Sequence, residues 1–431
     1  MTDISIIRVA SLPFQRRSVP IQMQEQAKYL VEWKKQPNMM VKIMTTYTTL
    51  GILGGGQLAQ MLALSAIPLG IKCHIYEPSV AAAAALVAQH HRGNYDQKPL
   101  LKIFADAVDV ISYEFENVPA PAANYLAGLR PVFPAPAALA VCQNRLSEKQ
   151  FINAQGVATA PFAPVDATSS VANAIKTTGL PAILKTRTMG YDGKGQKSIT
   201  GLTQAYQAVV DLAGVDLILE GLVPFQRELS ILAVRDRSGA MLRYPLVENH
   251  HHDGILRLSI APAANVHPDV EAQADTIAER LLSALDYVGV LAIECFEVKT
   301  AQGPRLLVNE LAPRVHNSGH WSIEGAITSQ FENHVRAVCG LPLGPTTLRG
   351  MSAMINLIGA IPDISAIPSG VHVHLYHKEP RPERKVGHLT IVARDMATLH
   401  RKIEECRNLP GVWLPDPPEG TGAPKSRRSR D

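Results

Sequence analysis

The sequence predicts an α/β fold that opens with a Rossmann-like parallel-sheet domain and continues into α+β segments. Three observations carry this reading. From Thr49 onward short apolar strands alternate with helical stretches, which implies a parallel sheet covered on both faces. A glycine-rich turn, Gly54-Gly55-Gly56-Gln57, joins the first strand to the first helix. Beyond Pro224 the strands lengthen, and two of them are separated only by a short stretch around Thr300-Ala301-Gln302-Gly303, as in a hairpin.

The elements follow in order. Leu50 to Leu53 is a strand, Leu58 to Ser65 a helix, and Lys72 to Tyr76 a second strand ending at Glu77. The alanine-rich run at 81–88 reads as a helix face, and Val108 to Tyr113 as a further strand with a turn at Asn117-Val118-Pro119. The pattern shifts near Asn144: a helix from Ser147 to Ala154 leads into a small segment punctuated by Pro161, Pro164 and Pro181. That segment holds strands at Ala182 to Lys185 and Asp216 to Glu220. A helix, Val270 to Leu285, then precedes strands Gly289 to Glu297 and Arg305 to Leu311. Strands at Val371 to Tyr376 and Leu389 to Ala393 and a helix from Met396 to Arg407 complete the body. The boundaries expected are 1–46 for a poorly ordered extension, 47–146 for the N-terminal domain, 147–222 for a small lid, 223–412 for the C-terminal domain and 413–431 for a tail.

Composition narrows the classes. The 431 residues are 46% hydrophobic and 19% charged, which excludes a disordered chain and suits two to three domains. The longest apolar run, Val80 to Ala88, is far short of the roughly 20 residues that cross a bilayer, so a soluble protein without membrane partner is expected. Residues 1–46 carry +4 and residues 425–431 carry +3, so the stretch between them is −3 although the whole chain is +4. The charge therefore gives no argument for nucleic acid. The first 46 residues lack the apolar core of a secretion signal, and Met39, Met40 or Met44 lies close to an expected functional start. Five scattered cysteines without a CxxC pair point to a reducing, cytoplasmic compartment.

Several segments carry chemistry, each with a bland counterpart. Gly54 to Ala59 fits G-x-G-x-x-A, with Glu77 23 positions on: a dinucleotide fingerprint, or a tight strand–helix turn that binds none. Lys185 ends a strand, and a loop follows with Gly190, Tyr191, Asp192, Gly193, Lys194, Gly195 and Gln196. Its backbone N–H groups and lysines can cover a polyphosphate; otherwise it is a hairpin tip. Glu220, Gly221, Leu222 and Val223, with Glu228 beyond, can frame a purine and its ribose or simply end a strand. Glu294 and Glu310 each interrupt an apolar strand. Paired in a hairpin they would repel unless a cation lay between them, and the upstream lysines favour Mg²⁺ over an acid–base pair. Arg314, His316, Asn317, Ser318 and His320 crowd the next loop, and Lys378, Arg381, Arg384 and Lys385 cluster between strands, which suits a phosphate-bearing substrate. His250, His251 and His252 adjoin and cannot all face one metal.

Taken together, the glycine-rich first strand, the Gly-Tyr-Asp-Gly-Lys-Gly-Gln loop, the Glu-x-x-Val hinge and Asn-Glu-Leu-Ala-Pro-Arg-x-His-Asn-Ser-Gly-His resemble the ATP-grasp superfamily. The segments Ser112-Tyr113-Glu114-Phe115-Glu116-Asn117-Val118 and Arg384-Lys385-Val386-Gly387-His388 are similar to those of its 5-(carboxyamino)imidazole ribonucleotide synthases of purine biosynthesis, over about Thr49 to Val412. Ala59 stands where many members have glycine and Val315 where many have proline.

The resemblance implies an ATP-grasp fold in three domains, a homodimer, and a ligase that joins bicarbonate to the amine of 5-aminoimidazole ribonucleotide with ATP and Mg²⁺. It implies that Arg145, Lys185, the 190–196 loop, Glu220 to Val223, Glu228, His251, Asn309 and Glu310 bind ATP, and that Glu294 and Glu310 hold magnesium. Gln57, Glu114, Glu116, Tyr191, Lys194, His316, Asn317, Ser318, Lys378, Arg384 and Lys385 would surround the ribonucleotide, with His316, Arg314 and Lys194 catalytic. Alternatives are another ATP-grasp ligase or transformylase, a dehydrogenase, and a non-catalytic nucleotide-binding protein; the dehydrogenase leaves the carboxylate pair unexplained.

Overall fold

Four parallel strands build the first sheet: β1 (Thr49–Leu53), β2 (Lys72–Tyr76), β3 (Gln89–His91) and β4 (Val110–Tyr113), in the order β3-β2-β1-β4. The computed structural model describes residues 47–166, 168–190, 195–212 and 215–416. Of the two units of the chain, residues 1–45 and 46–431, all of these belong to the second. The expected extension 1–46, loop residues Tyr191, Asp192, Gly193 and Lys194, and most of the tail lie outside the described residues.

Helices cover both faces of this sheet, as the alternating pattern requires. Helix α1 (Gln57–Ala66) packs with Leu50, Ile52 and Ile75 on one side, while Leu101 and Phe104 of α2 (Lys98–Asp106) and Leu126 of α3 (Ala120–Ala127) fill the other. Each large apolar side chain so buried contributes about 1.5–3 kcal/mol. The alanine-rich run departs from expectation: only a 3₁₀ turn forms, at Ala83–Leu86, and it packs through Ala84 against α1. Alanine favours a helix, but of the ten residues between Pro78 and β3 only these four take helical turns.

Two short helices, α4 (Pro136–Cys142) and α5 (Arg145–Ala154), lead to the second sheet. Asn144 starts α5 by accepting bonds from the Leu146 and Ser147 N–H groups, and so fixes Arg145 in the first turn. The second sheet is antiparallel, β5 (Phe162–Val165), β6 (Ala182–Thr186), β7 (Gln196–Ile199) and β8 (Leu217–Gly221), in the order β5-β8-β6-β7. Helices α6 (Val171–Thr178) and α7 (Leu202–Asp211) bury Ala174 and Ala208 against one face of it.

The third sheet has nine strands: β9 (Arg227–Arg235), β10 (Met241–Arg243), β11 (Val247–His252), β12 (Ile255–Ala261), β13 (Gly289–Thr300), β14 (Gly303–Ala312), β15 (Met351–Ile358), β16 (Val371–Leu375) and β17 (Lys385–Ala393). Their order is β14-β13-β9-β11-β12-β15-β17-β16, with β10 beside β9. Helix α8 (Pro268–Ala284) covers the hairpin end; Pro268 at its first turn and Asp269 and Glu271 near its positive end favour that start. A four-residue turn, α9 (Ser322–Gly325), precedes α10 (Gln330–Cys339), which packs between the third sheet and α1. Helix α11 (Met396–Glu405) closes the far end. No helix of the described residues is long and apolar enough to cross a membrane.

Candidate active site

The three sheets meet around one cavity of about 980 Å³. At its centre is the β13–β14 hairpin, where Glu294 stands directly opposite Glu310. The ladder slips by one residue between Glu294 and Cys295, so that Asn309 is an extra residue in β14. In a regular strand successive side chains face opposite ways. The bulge lets Asn309 and Glu310, adjacent in sequence, both line the cavity. Burial and the neighbouring Glu310 charge raise the Glu294 carboxyl to about 7. His316 Nε2 lies 3.2 Å from Glu294 Oε1, while the Ser318 N–H donates to its Nδ1, so the ring proton sits on Nε2, the nitrogen nearer the carboxylate. Burial, with Arg314 nearby, holds His316 well below its ordinary value and therefore neutral.

The second sheet supplies cations. Lys185 on β6 and Glu220 on β8 share one face, and their Nζ and Oε2 atoms are 3.0 Å apart. A lysine not singled out by its sequence context, Lys149 of α5, also reaches Glu220 at 3.2 Å. Burial alone would raise the Glu220 carboxyl, but the two ammonium groups outweigh it and hold it below the ordinary range. Arg145 donates to the carbonyls of Thr186 and Gly190. A side chain at Gly190 would meet its Nη1 at 2.6 Å and push the guanidinium aside. Gly195 and Ser318 do not border the cavity: Gly195 holds the loop at φ +73°, and Ser318 is buried behind His316. Gln196, Gly221, Leu222 and Val223 do border it, beside stacked Phe225 and Phe296. His251 pairs with Glu228; burial disfavours the charged ring, but that carboxylate prevails and raises it.

The glycine-rich turn resolves differently from its fingerprint. Glu114 is half-buried and accepts bonds from the Gly56 N–H at 2.5 Å and the Ala59 N–H at 2.9 Å, the donors a phosphate would use. An internal carboxylate thus occupies the anion seat, and Glu77 is used by its own Ser79 N–H. The dehydrogenase reading loses its site. Gln57 accepts from Lys378 Nζ, and Glu116 binds Arg314, whose guanidinium keeps that carboxyl low although burial opposes it. Asn317 exchanges amide bonds with Asn356. Lys378, Arg384 and Lys385 line the same end of the cavity.

Comparison with known proteins covers most of the chain. Residues 47–143 match the ribonucleotide synthetase preATP-grasp domain, 150–331 the ATP-grasp domain, and 352–402 the phosphoribosylaminoimidazole carboxylase C-terminal domain. The N5-carboxyaminoimidazole ribonucleotide synthase of Pseudomonas aeruginosa is 46% identical over 362 residues, covering 84% of this chain and 99% of that one. The chain belongs to the N5-carboxyaminoimidazole ribonucleotide synthase family. The synthetase of Thermus thermophilus superposes with a TM-score of 0.80 at 48% identity, covering 84% and 99% of the two chains. A synthase of Aspergillus clavatus, solved with ADP and 5-aminoimidazole ribonucleotide, gives 0.76 at 29% identity, covering 84% and 98%. Like other N5-carboxyaminoimidazole ribonucleotide synthases the chain is an ATP-grasp ligase, an enzyme of purine biosynthesis that uses ATP.

In this synthase the donor set fits a hard divalent cation. Among the described residues no cluster of three His, Cys, Asp or Glu side chains could hold a metal. Two facing carboxylates are nevertheless what a magnesium–nucleotide site asks of a protein, since phosphate oxygens and water supply the other ligands. Sequence reasoning missed Lys149, Phe225, Phe296 and Tyr376. The aromatics carried no charge to mark them, and a lysine in a helix reads as a solvated face.

Proposed function

We propose that this chain carboxylates the exocyclic amine of 5-aminoimidazole ribonucleotide with bicarbonate, converting ATP to ADP and phosphate by way of carboxyphosphate. The observation that carries the reading is the Glu294–Glu310 pair, set in one cavity between Lys185 and Arg145 on one side and Lys378, Arg384 and Lys385 on the other. A cavity with two cationic ends and a carboxylate pair between them suits two phosphorylated substrates whose reacting groups meet in the middle.

Bicarbonate is a poor electrophile, so its oxygen attacks the γ-phosphorus and ADP leaves. The amine then forms a bond to the carboxyl carbon as phosphate departs and nitrogen loses a proton. Glu294 and Glu310 would hold Mg²⁺, which when bound neutralises charge on the phosphoryl oxygens. Lys185, Arg145 and the 190–196 loop orient the nucleotide, with Glu228 and His251 toward its ribose. Arg314, braced by Glu116, faces the transferred carboxyl group. His316 is neutral and its Nε2 lies 3.2 Å from Glu294, so we assign it to steadying that carboxylate rather than to taking the amine proton. Lys378, Arg384 and Lys385 take the 5′-phosphate, and the site closes over an intermediate that water destroys.

We read the three sheets as three domains with boundaries near 146 and 222. A homodimer belongs to this reading by resemblance, and a cytoplasmic location by the five free cysteines. Phosphate release tests the reaction: it is expected to require bicarbonate, 5-aminoimidazole ribonucleotide and Mg²⁺ together. Release that ignores bicarbonate, or turnover of a nicotinamide cofactor without ADP, would overturn it.

A further inference from the structure

Beneath the cationic end of the cavity the last three strands of the nine-stranded sheet carry polar side chains where a core would be apolar. Asn356 on β15, His388 on β17 and His374 on β16 are register partners in one row. Asn356 is bound to Asn317, and His374 to Glu324 at 2.8 Å; His374 stacks on His388 with ring centroids 4.4 Å apart. His388 is fully buried, and its Nδ1 lies 2.7 Å from the hydroxyl of Tyr376, a buried residue that borders the cavity. The other ring nitrogen, Nε2, has no partner.

That orphan atom fixes the direction of the bond. Burial and the nearby histidines hold His388 well below its ordinary value, so the ring is neutral and carries one proton. A buried N–H without an acceptor is rarer and costlier than a buried lone pair without a donor. The proton therefore sits on Nδ1, which donates to the Tyr376 oxygen, and the phenolic O–H is left to point elsewhere. We infer that Tyr376 donates a hydrogen bond to an anionic oxygen of the substrates inside the cavity, and that His388 is the positioning residue that turns its hydroxyl there. Lys378, two residues along, makes this wall one that attracts oxyanions.

The inference rests on the proposed carboxylation, and its test separates the two. Tyr376→Phe keeps the ring and removes only the hydroxyl. It should raise the KM for either the ribonucleotide or bicarbonate about ten- to a hundredfold, leaving the KM for ATP within about twofold; which KM moves tells whether the acceptor is the ribonucleotide or the carboxyl group. His388→Asn, which can still offer an N–H, should retain more activity than His388→Leu, and in a Tyr376→Phe background neither should lower activity further. Nitrogen-15 shifts of the wild-type ring should show a protonated Nδ1. Unchanged kinetics in Tyr376→Phe, or a proton on Nε2, would overturn the assignment while the wild type still carboxylates. A wild type without bicarbonate-dependent phosphate release would instead overturn the reaction.

Discussion

Lys149 Nζ, with a side chain 1% exposed, lies 3.2 Å from Glu220 and donates to the Asn309 carbonyl at 3.0 Å. One buried ammonium thus ties the end of β8 to the bulge of the β13–β14 hairpin. It leaves Lys185 sharing Glu220 with a second cation, so this corner carries more positive than negative charge where anionic nucleotide is expected.

Lys149→Met should keep the volume and remove the charge. Glu220 would retain Lys185, so the cost is that of a charged hydrogen bond, about 1.5–3 kcal/mol, rather than that of a stranded carboxylate. Urea unfolding measures it, and the KM for ATP should rise about tenfold as the two sheets lose their tie. A stable variant with an unchanged KM would show that the contact has no role in ATP binding.

Glu310→Gln should nearly abolish phosphate release and leave the protein folded. The amide keeps the shape, removes a metal-binding charge and relieves the repulsion on Glu294. Circular dichroism and a magnesium titration check both halves; normal Mg²⁺ dependence would remove Glu310 from the metal site.

The same repulsion gives the metal-free protein a pH signature. Glu294 titrates at about 7 in the fold against an ordinary 4.5. In that window the folded state binds more protons than the unfolded one, so its contribution is present below pH 4.5 and lost as pH rises through 7. Urea unfolding in chelator from pH 5 to 8 should show stability falling more steeply in the wild type than in Glu294→Gln. Equal slopes would mean that Glu294 is ionised throughout.

Arg384→Ala should raise the KM for the ribonucleotide about ten- to a hundredfold and that for ATP far less. Arginine meets phosphate with two parallel hydrogen bonds, and Arg384 lines the cavity near Lys378. An effect confined to ATP would put this cluster at the wrong substrate.

Much of the site was legible because charge stands out against apolar strands. Glu294 and Glu310 interrupt two such strands joined by a short turn, and register follows from that turn. What stayed hidden depends on contacts between distant segments. The bulge at Asn309 has no local signature, and nothing around Lys149 distinguishes it from a surface lysine. Glu114 was legible as a site carboxylate but not as the cap of α1, because that bond spans 55 residues or more. Ser318 misled for the opposite reason: a hydroxyl among charged neighbours faces inward, to His316.

The extra residue in β14 has a further consequence. A chain lacking Asn309 could keep every pairing from Gly303 to Val308 and from Glu310 to Ala312, and its ladder would run without a defect. By the rules of sheet formation it would be the sounder hairpin. It would also lose the carbonyl that holds Lys149 and the amide beside the carboxylate pair. Regularity and activity pull apart at this one position, so a search for stabilising changes that favours ideal strands would select against the enzyme there.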